Sequence, residues 1–375
     1  MSNTPEKKQD RLLSLDTLRG FDMLWIAGGD YLLMSLGALT GWPIFKWAAL
    51  QMEHVEWAGF HFYDMIFPLF LFIAGVSMPF SILKRKQRGE RMRSLYGHLF
   101  KRLFLLILLG LIYQDILQFN FEHQRYASVL ARIGIAWFLA AVIVLNTSRK
   151  GQIYWFIGIL LGYWAVMKLI PVPGFGAGVL TPEGSLAAYI DQKFLPGRFC
   201  CYTFGDNEGI MSTIPAVCTA LLGALAGHLL ISKDNKLTGL KKGLILLGAG
   251  LLSLAVGKLW SFSFPIIKNL WTSSFVLFAG GWSLILLSVF YLIVDVWGFK
   301  KWTLPFVVIG MNSITIYMLN SGIIDFGQMG KYFFGGIANL FASEPAQQVI
   351  LASGALVCIW VFLYILYKNK IFLKV

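Results

Sequence analysis

Ten apolar segments of about twenty residues, separated by shorter polar stretches, dominate the hydrophobic pattern of the chain. An α-helix of that length can cross roughly 30 Å of hydrocarbon. The pattern therefore predicts an all-α, polytopic integral membrane helix bundle with about ten transmembrane helices, formed by one domain over residues 1–375. The predicted spans are residues 20–40, 60–83, 101–119, 128–147, 152–170, 209–231, 242–260, 272–294, 303–323 and 347–367.

Basic residues are concentrated in alternate connections between these segments. Those connections, their flanking residues and the chain ends hold 23 of the 32 Lys and Arg residues, including the run KRKQRGERMR that starts at Lys84. Because cytoplasmic loops carry an excess of Lys and Arg, both termini and a basic loop over residues 84–102 are predicted to be cytoplasmic. The same rule accounts for the net charge of +13, so no nucleic-acid partner is expected.

The other connections are longer and chemically more varied. Residues 171–208 are rich in Gly and Pro, and we interpret them as an extracytoplasmic lid loop, because loops of this length are usually functional or disordered. Residues 324–346 are typical of a helix in the membrane interface. Cys200 and Cys201 are adjacent, which gives no zinc motif and leaves a disulfide, free thiols and simple loop residues open. The polar N-terminus does not resemble a cleavable signal, so the first helix is expected to stay.

Ionisable side chains at membrane depth are unfavourable, and by default they indicate a functional site. Asp30 follows Arg19 by eleven residues on the first span, which places it roughly 16 Å deeper, near mid-bilayer. An unpaired carboxylate at that depth needs a partner. Asp30 is therefore either a functional residue or a packing residue that pairs with a group such as Arg132.

The stretch from Gln51 to Phe80 brings titratable residues directly against a long apolar run. His54 stands at the mouth of the second span, where an imidazole suits general-base chemistry on an amine or a hydroxyl. A loop histidine is more often simply solvated, so His54 alone decides nothing. Asp64 lies inside the span and suits either chemistry or architecture, whereas Gly75 is interpreted as a packing position.

On the ninth span, Asn312 and Asn320 are eight residues apart and share a helix face. That face is a candidate cavity lining, although hydrogen bonds between helices would explain it as well. The histidines lack the HExxH pattern, so no metal site is expected, and no GxxxxGK[ST] phosphate loop supports ATP-driven chemistry.

Six motifs occur in a fixed order along nearly the whole chain. They are SLDTLRG at residues 14–20, HVEWAGFHFYDMIFPLFLFIAGVS at 54–77, VLARIGIAWF at 129–138, GDNEGIMSTIP at 205–215, KNLWTSSF at 268–275 and GMNSITIYM at 310–318. Together they resemble the heparan-α-glucosaminide N-acetyltransferase family. The resemblance implies a compact bacterial member, in the inner membrane and homodimeric.

The same resemblance implies a transmembrane acetyltransferase. Acetyl-CoA would bind from the cytoplasmic side, and the acetyl group would reach the amine of a terminal glucosamine on the other side. The catalytic histidine of the family maps onto His54, ahead of a W-x-G-x-x-x-x-D-x-x-F-P motif represented by Trp57, Gly59, Asp64, Phe67 and Pro68. The chain departs from the family at Asp30, where the animal enzyme has asparagine, and at Asn207, where the family usually has proline.

Asp30 and His54 form the catalytic dyad in our hypothesis, with the carboxylate fixing the tautomer of the imidazole. The acetyl-CoA site is predicted to include Arg19, Arg132, Asn312 and Ser313. The sugar site is predicted to include Asp64, Trp57, Glu208, Lys268 and Asn269. Transfer through an acetyl-histidine and direct transfer within a ternary complex both stay open.

Two alternative functions share these features. The first is an amino-sugar transporter, for example of N-acetylglucosamine, which the lack of an evident inverted repeat weakens without excluding. The second is an O-acetyltransferase of cell-wall or exopolysaccharide sugars, which would use much the same histidine chemistry.

Overall fold

The computed structural model describes residues 12–320 and 322–373, and these are almost entirely helical. The helices are α1 (Leu13–Leu24), α2 (Asp30–Thr40), α3 (Pro43–Leu50), α4 (Ile66–Met78), α5 (Lys84–Gln87), α6 (Met92–Tyr113), α7 (Val129–Asn146), α8 (Arg149–Leu169), α9 (Leu186–Phe194), α10 (Ile210–Ile231), α11 (Gly239–Trp260), α12 (Ser273–Phe290), α13 (Leu304–Met311), α14 (Ser313–Leu319), α15 (Phe326–Ala338) and α16 (Glu344–Lys368). Two short antiparallel hairpins pair β1 (Pro171–Val172) with β2 (Gly176–Ala177) and β3 (Cys201–Tyr202) with β4 (Gly205–Asp206).

Nine helical stretches within the described residues are long and apolar enough to cross a membrane. This confirms the predicted all-α, polytopic membrane bundle. Three of the stretches continue through π-helical turns, which lie at Trp25–Gly29, Pro79–Leu83 and Tyr291–Val296. Residues 92–102, predicted as part of the basic loop, instead form the first turns of α6.

The span predicted over residues 303–323 is interrupted. The helix α13 ends at Met311, Asn312 has a non-helical backbone, and α14 begins at Ser313. The first span is also interrupted, since Gly28 has a φ of 111° inside its π-helical turn. The end of α14 contacts the first span near its kink, because the Asn320 side-chain amide donates a 2.9 Å hydrogen bond to the Ile26 carbonyl. A backbone acceptor near the kink is thereby satisfied, as membrane depth requires.

Burial alternates from span to span along the chain. The hydrophobic windows of the second, fourth, sixth and eighth stretches, which contain α4, α7, α10 and α12, are between 61% and 72% buried. The windows of the remaining stretches are between 22% and 28% buried. The chain therefore builds an inner ring from its even spans and surrounds it with an outer ring of odd ones.

Glycines let the inner helices α4 and α10 touch backbone to backbone. A Cβ added at Gly75 would lie 2.1 Å from the Ala220 carbonyl oxygen, and one added at Gly223 would lie 2.1 Å from the Phe72 carbonyl oxygen. No larger residue fits at either position without moving a helix. The interpretation of Gly75 as a packing position is confirmed.

The two ends of the bundle differ in chemistry. One end, here called the basic end, carries the residues from Lys84 to Arg93 and the starts of α8 and α11. The other end, here called the lid end, carries residues 171–208, which fold into the two hairpins and α9. Within this lid Cys200 and Cys201 form a disulfide with each other, which resolves the alternatives that the sequence left open.

Candidate active site

The lid end holds a histidine and a carboxylate in direct contact. A 3-10 turn at Phe62–Met65 begins the second span, and Asp64 Oδ2 accepts a 3.0 Å hydrogen bond from the backbone N–H of His61, the turn's N-cap residue. The other oxygen, Oδ1, lies 2.8 Å from His54 Nδ1. Because a carboxylate only accepts, the proton of a neutral His54 ring is on Nδ1 and the lone pair is on Nε2. Asp64 thus presets the tautomer that a general base or a nucleophile needs.

Lys268, which follows His54 by 214 residues in the chain, completes this cluster. Its Nζ lies 3.4 Å from Asp64 Oδ1, and 3.0 and 3.1 Å from Nδ1 and Nε2 of His54. An atom so nearly equidistant from both nitrogens would overlap Cε1 if it lay in the ring plane, so Nζ lies over the ring face. Burial lowers the pKa of Lys268 below the ordinary lysine value, although the nearby Asp64 carboxylate opposes this shift.

Main-chain contacts hold the Lys268 loop against the histidine loop. The backbone N–H of Gly59 donates a 2.9 Å hydrogen bond to the Ile266 carbonyl, and Ala58 pairs with Ile267 in an isolated antiparallel bridge. Gly59 has a φ of 139°, in the region that favours glycine, and this allows the chain to turn here. The glycine of the family motif therefore positions Lys268 relative to His54.

The three side chains of the cluster differ sharply in exposure. The His54 side chain is 50% exposed, whereas those of Asp64 and Lys268 are 1% and 14% exposed. A reactive imidazole is thus open to the lid end while its charged neighbours are shielded from water. Buried charge–charge contacts act in a lower dielectric and are stronger than exposed ones.

The predicted dyad of Asp30 and His54 is not the arrangement that the structure has, because Asp64 occupies the position beside His54 Nδ1. Asp30 begins α2 directly after the π-helical turn, and its Oδ1 accepts a 2.7 Å hydrogen bond from the Tyr31 N–H. Its carboxylate also lies beside the Tyr63 hydroxyl. Tyr63 in turn packs on His54, with ring centroids 4.9 Å apart. Asp30 therefore reaches the histidine through a tyrosine.

Sequence reasoning missed Tyr63 and Tyr113, which lie near this cluster. Besides Tyr63, the rings of Tyr113 and Tyr317 stack with centroids 4.7 Å apart, and both lie within electrostatic range of Arg125. Tyr63 stands next to Asp64 within a family motif, which is a signal that could have been used. Nothing in the spacing along the chain pairs Tyr113 with Tyr317.

An ion-pair network anchors the lid beside the site. Arg125 donates to both carboxylate oxygens of Asp206, at 2.5 and 2.7 Å, and also to Glu208. All three side chains are at least nine-tenths buried. Burial alone would lower the pKa of Arg125, but the two carboxylates raise it above the ordinary value. Glu208 also lies within electrostatic range of Lys268, so the charges of the anchor act on the cluster around His54.

The structure places Arg132 away from the predicted acetyl-CoA entrance. It is the fourth residue of α7, which starts at the lid end, and its guanidinium donates to the Asn207 carbonyl and to Ser212 Oγ. The assignment of Arg132 to the acetyl-CoA site stays a prediction, and the contacts of its guanidinium are with the lid end. Its contacts give it a role in holding the Asn207 turn, where the chain departs from the family.

The other predicted donor residues lie together in the half of the bundle toward the basic end. Arg19 forms a 3.1 Å ion pair with Asp16 on α1. The helix α1 packs tightly on α13, whose end is capped by Asn312 and followed by the buried Ser313. Buried polar atoms in this region have no hydrogen-bond partner among the described residues, namely both carboxylate oxygens of Asp22, Arg102 Nε and Asn312 Oδ1.

The predicted sugar residues divide into two groups. Asp64 and Lys268 contact the histidine as described, and Glu208 lies within electrostatic range of Lys268. Asn269 is half-buried directly after Lys268. Trp57 instead contacts the lid, since its indole N–H donates a 2.8 Å hydrogen bond to the Leu180 carbonyl and its ring meets Tyr202 edge-on. Across residues 12–320 and 322–373, no three His, Cys, Asp or Glu side chains converge as metal ligands would.

Comparison with curated proteins identifies the family that the chain resembles. In an alignment 421 positions long, gaps included, the chain is 30% identical to the heparan-α-glucosaminide N-acetyltransferase of Homo sapiens. The alignment covers 97% of the chain. This similarity supports membership of the heparan-α-glucosaminide N-acetyltransferase family. The N-acetyltransferase of that name from Mus musculus is 27% identical over 427 residues and 99% of the chain. No protein-family model matches the chain.

The chain spans only part of the length of the N-acetyltransferases that it matches. The matches cover 60% of the human protein and 62% of the mouse protein. The family prediction made from the six motifs is confirmed. The long apolar helices agree with a multi-pass membrane protein.

Proposed function

We propose that the protein transfers an acetyl group from cytoplasmic acetyl-CoA to the amine of a glucosamine-type sugar on the opposite side of a bacterial inner membrane. The observation that supports this most is the contact between His54 Nδ1 and Asp64 Oδ1 under a folded lid. It gives an exposed imidazole with a fixed tautomer, which acyl transfer to an amine requires. Both relatives are named N-acetyltransferases, and for this reason we propose acyl transfer as the reaction.

In the direct route, His54 Nε2 takes a proton from the sugar amine as its nitrogen attacks the carbonyl carbon of the thioester. The carbonyl oxygen gains negative charge, which the Lys268 ammonium beside His54 stabilises. The carbon–sulfur bond then breaks, and the thiolate of CoA accepts a proton. Asp64 stabilises the imidazolium that exists between the two proton transfers.

In the acetyl-histidine route, the lone pair of His54 Nε2 attacks the thioester first and CoA leaves. The sugar amine then attacks the acetyl carbon and the carbon–Nε2 bond breaks. The freed imidazole takes the proton of the amine and passes it to the CoA thiolate. The same Asp64 contact serves both routes, because it keeps the proton on Nδ1 and the lone pair on Nε2. Radiolabelled acetyl-CoA mixed with enzyme alone, followed by trapping, labels the wild type and spares His54→Ala only if the covalent route operates.

The polar atoms without partners near the basic end fit the arm of acetyl-CoA. Its pantetheine chain carries amide groups that need hydrogen-bond partners at membrane depth. The Asp22 carboxylate, Arg102 Nε and Asn312 Oδ1 offer donors and acceptors in the half of the bundle that the arm would cross. Arg19 lies within electrostatic range of both Asp22 and Arg102. These residues would bind and orient the arm so that the thioester approaches His54.

The test is acetyl transfer by the purified chain in proteoliposomes. We expect free thiol release with acetyl-CoA and glucosamine only when the two substrates are on opposite sides of the membrane. Thiol release with N-acetylglucosamine in place of glucosamine would indicate O-acetylation instead. Sugar uptake without thiol release would indicate a transporter, and would overturn the proposal.

We also propose that the protein is a homodimer, on the basis of the family resemblance alone. Light scattering of the protein in detergent, corrected for bound detergent, gives the mass of the particle. A monomer mass near 42.1 kDa would contradict this part of the proposal.

A further inference from the structure

A pocket lies at the basic end, far from His54. It has a volume of about 300 Å³ and lies where α10 ends, α7 ends, α8 begins and the second span leaves its π-helical turn. Along α10, His228 in this pocket is sixteen residues from Ser212 at the lid end, which corresponds to roughly 24 Å. The volume has room for roughly ten water molecules at about 30 Å³ each, so a small polar group fits.

Two buried side chains that line this pocket carry polar atoms without a partner. His228 is 8% exposed and Gln152 is 1% exposed. Neither His228 Nε2 nor Gln152 Oε1 has a hydrogen-bond partner in the part of the chain that the structure describes. The hydrogen bond from the Gln152 amide nitrogen to the Thr147 carbonyl is long, at 3.5 Å, and therefore weak. A rotation that turns the NH2 group into the pocket thus loses little hydrogen-bond energy. Unused buried polar groups of this kind are rare and call for a partner.

The charge around these two groups is entirely positive. Arg149 and Lys86 line the pocket, and Arg149 lies within electrostatic range of His228. The Lys86 ammonium donates one 2.6 Å hydrogen bond to the Leu145 carbonyl and keeps further protons to donate. The described residues that line the pocket include no carboxylate.

A helix terminus adds to this field. The helix α8 is 21 residues long and begins at Arg149, with Ser148 as its N-cap, so its free N–H groups face the same region. The start of a helix carries partial positive charge and favours anions. An imidazole N–H, an amide NH2, two cationic side chains and a helix N-terminus together match the oxygens of a phosphate group.

We propose that this pocket, lined by Lys86, Arg149, Gln152 and His228, binds a phosphate group. The site is separate from the acyl-transfer site and does not depend on the function proposed for it. Its position at the ends of α7 and α10 and at the start of α8, a helix of the outer ring, is the depth of lipid headgroups. The phosphate can therefore come from an anionic lipid or from a soluble phosphate compound.

The experiment measures binding to the full chain, freed of lipid in detergent. Inorganic phosphate is tested by equilibrium dialysis with radiolabel, CoA by the same method, and phosphatidylglycerol by native mass spectrometry. Variants are His228→Phe, which keeps a ring without nitrogen donors, and the exposed-residue pair Lys86→Ala with Arg149→Ala. The matched control is Lys150→Ala, which removes an exposed cation next to Arg149 that does not line the pocket.

Saturable binding of any one probe, weakened at least tenfold by His228→Phe and by the double variant but not by Lys150→Ala, supports the site. The probe that binds identifies the source of the phosphate. Binding of none of the three probes to the wild type would overturn the proposal, and the pocket would hold water only. Equal weakening by Lys150→Ala would also overturn it, because it would show attraction to the basic surface in general.

Discussion

Exchange of Asp64 for asparagine tests the active-site geometry directly. In Asp64→Asn the one remaining oxygen can take the place of Asp64 Oδ2 and still accept the His61 N–H, so the 3-10 turn keeps its cap. With its oxygen on His61, the amide turns its NH2 group toward His54 Nδ1. His54 Nδ1 then has to accept, which favours the tautomer with the proton on Nε2. The negative charge 3.4 Å from Lys268 is lost as well. The variant therefore folds but lacks the contact that presets Nε2.

The expected loss in kcat/KM is roughly 10²- to 10⁴-fold. The upper figure is the loss known for a buried triad carboxylate changed to its amide. The lower figure allows for the half-exposed His54 ring, where water can replace part of the lost contact. At 1.36 kcal/mol for each factor of ten, the range corresponds to about 2.7 to 5.4 kcal/mol of transition-state free energy.

The assay is thiol release from acetyl-CoA in the presence of glucosamine, measured across pH. The matched control is Asp30→Asn, which sequence reasoning ranks first and the structure ranks second. Because Asp30 lies beside Tyr63 rather than His54, we expect it to lose less than tenfold. Combining Asp64→Asn with His54→Ala should add almost nothing to the loss from His54→Ala alone, since the carboxylate acts through that ring.

Two results would refute this reasoning. One is an Asp64→Asn variant with near-normal turnover and an unchanged pH profile. The other is a larger loss in Asp30→Asn than in Asp64→Asn, which would restore the dyad expected from the sequence. Melting curves and size-exclusion profiles of each variant separate loss of chemistry from loss of fold.

Three further predictions concern charge, the lid and helix packing. Since burial lowers the pKa of Lys268, its ammonium loses its proton at lower pH than an ordinary lysine, and turnover should fall as pH rises through that value; Lys268→Arg should move this falling limb to higher pH in the same assay. Arg125→Met leaves two buried carboxylates unpaired and should lower the unfolding free energy by about 3–5 kcal/mol, whereas Arg198→Met, an exposed lid residue, should not. Gly75→Ala should cost about 1–3 kcal/mol in thermal unfolding, and Gly158→Ala, whose Cβ meets open space, should be neutral or slightly stabilising. Equal losses within either matched pair would contradict the packing described here.

Apolar length and charge asymmetry predicted most of the fold because they are local properties of the sequence. A run of twenty apolar residues needs no knowledge of its neighbours to be helical in a membrane. The break at Asn312 could not be predicted from length and hydropathy, because the apolar segment continues across it. The contact at the kink of the first span is not local either, since its Ile26 carbonyl accepts from Asn320, almost three hundred positions away.

The candidate site was predictable only in part. His54 followed from a motif, but its partner depended on which carboxylate the backbone brings close. Depth arguments favoured Asp30, while the 3-10 turn after the histidine loop presents Asp64. Lys268 was foreseen as a substrate residue, and its position over the ring required the bridge between Ala58 and Ile267. Sequence gives the residue types, and the loops decide which of them meet.

The glycine contacts between α4 and α10 set a condition on how the protein is made. Gly75 and its counterpart Gly223 are 148 residues apart in the chain. At synthesis rates of about 5–20 residues per second, the glycine face of α4 waits roughly 7 to 30 s in the membrane before its partner emerges. Helices in lipid gain little from hydrophobic attraction to one another, so this face stays open to other helices meanwhile. The order of insertion, with an outer-ring helix made before each inner one, leaves α4 beside earlier neighbours until α10 arrives to complete the core.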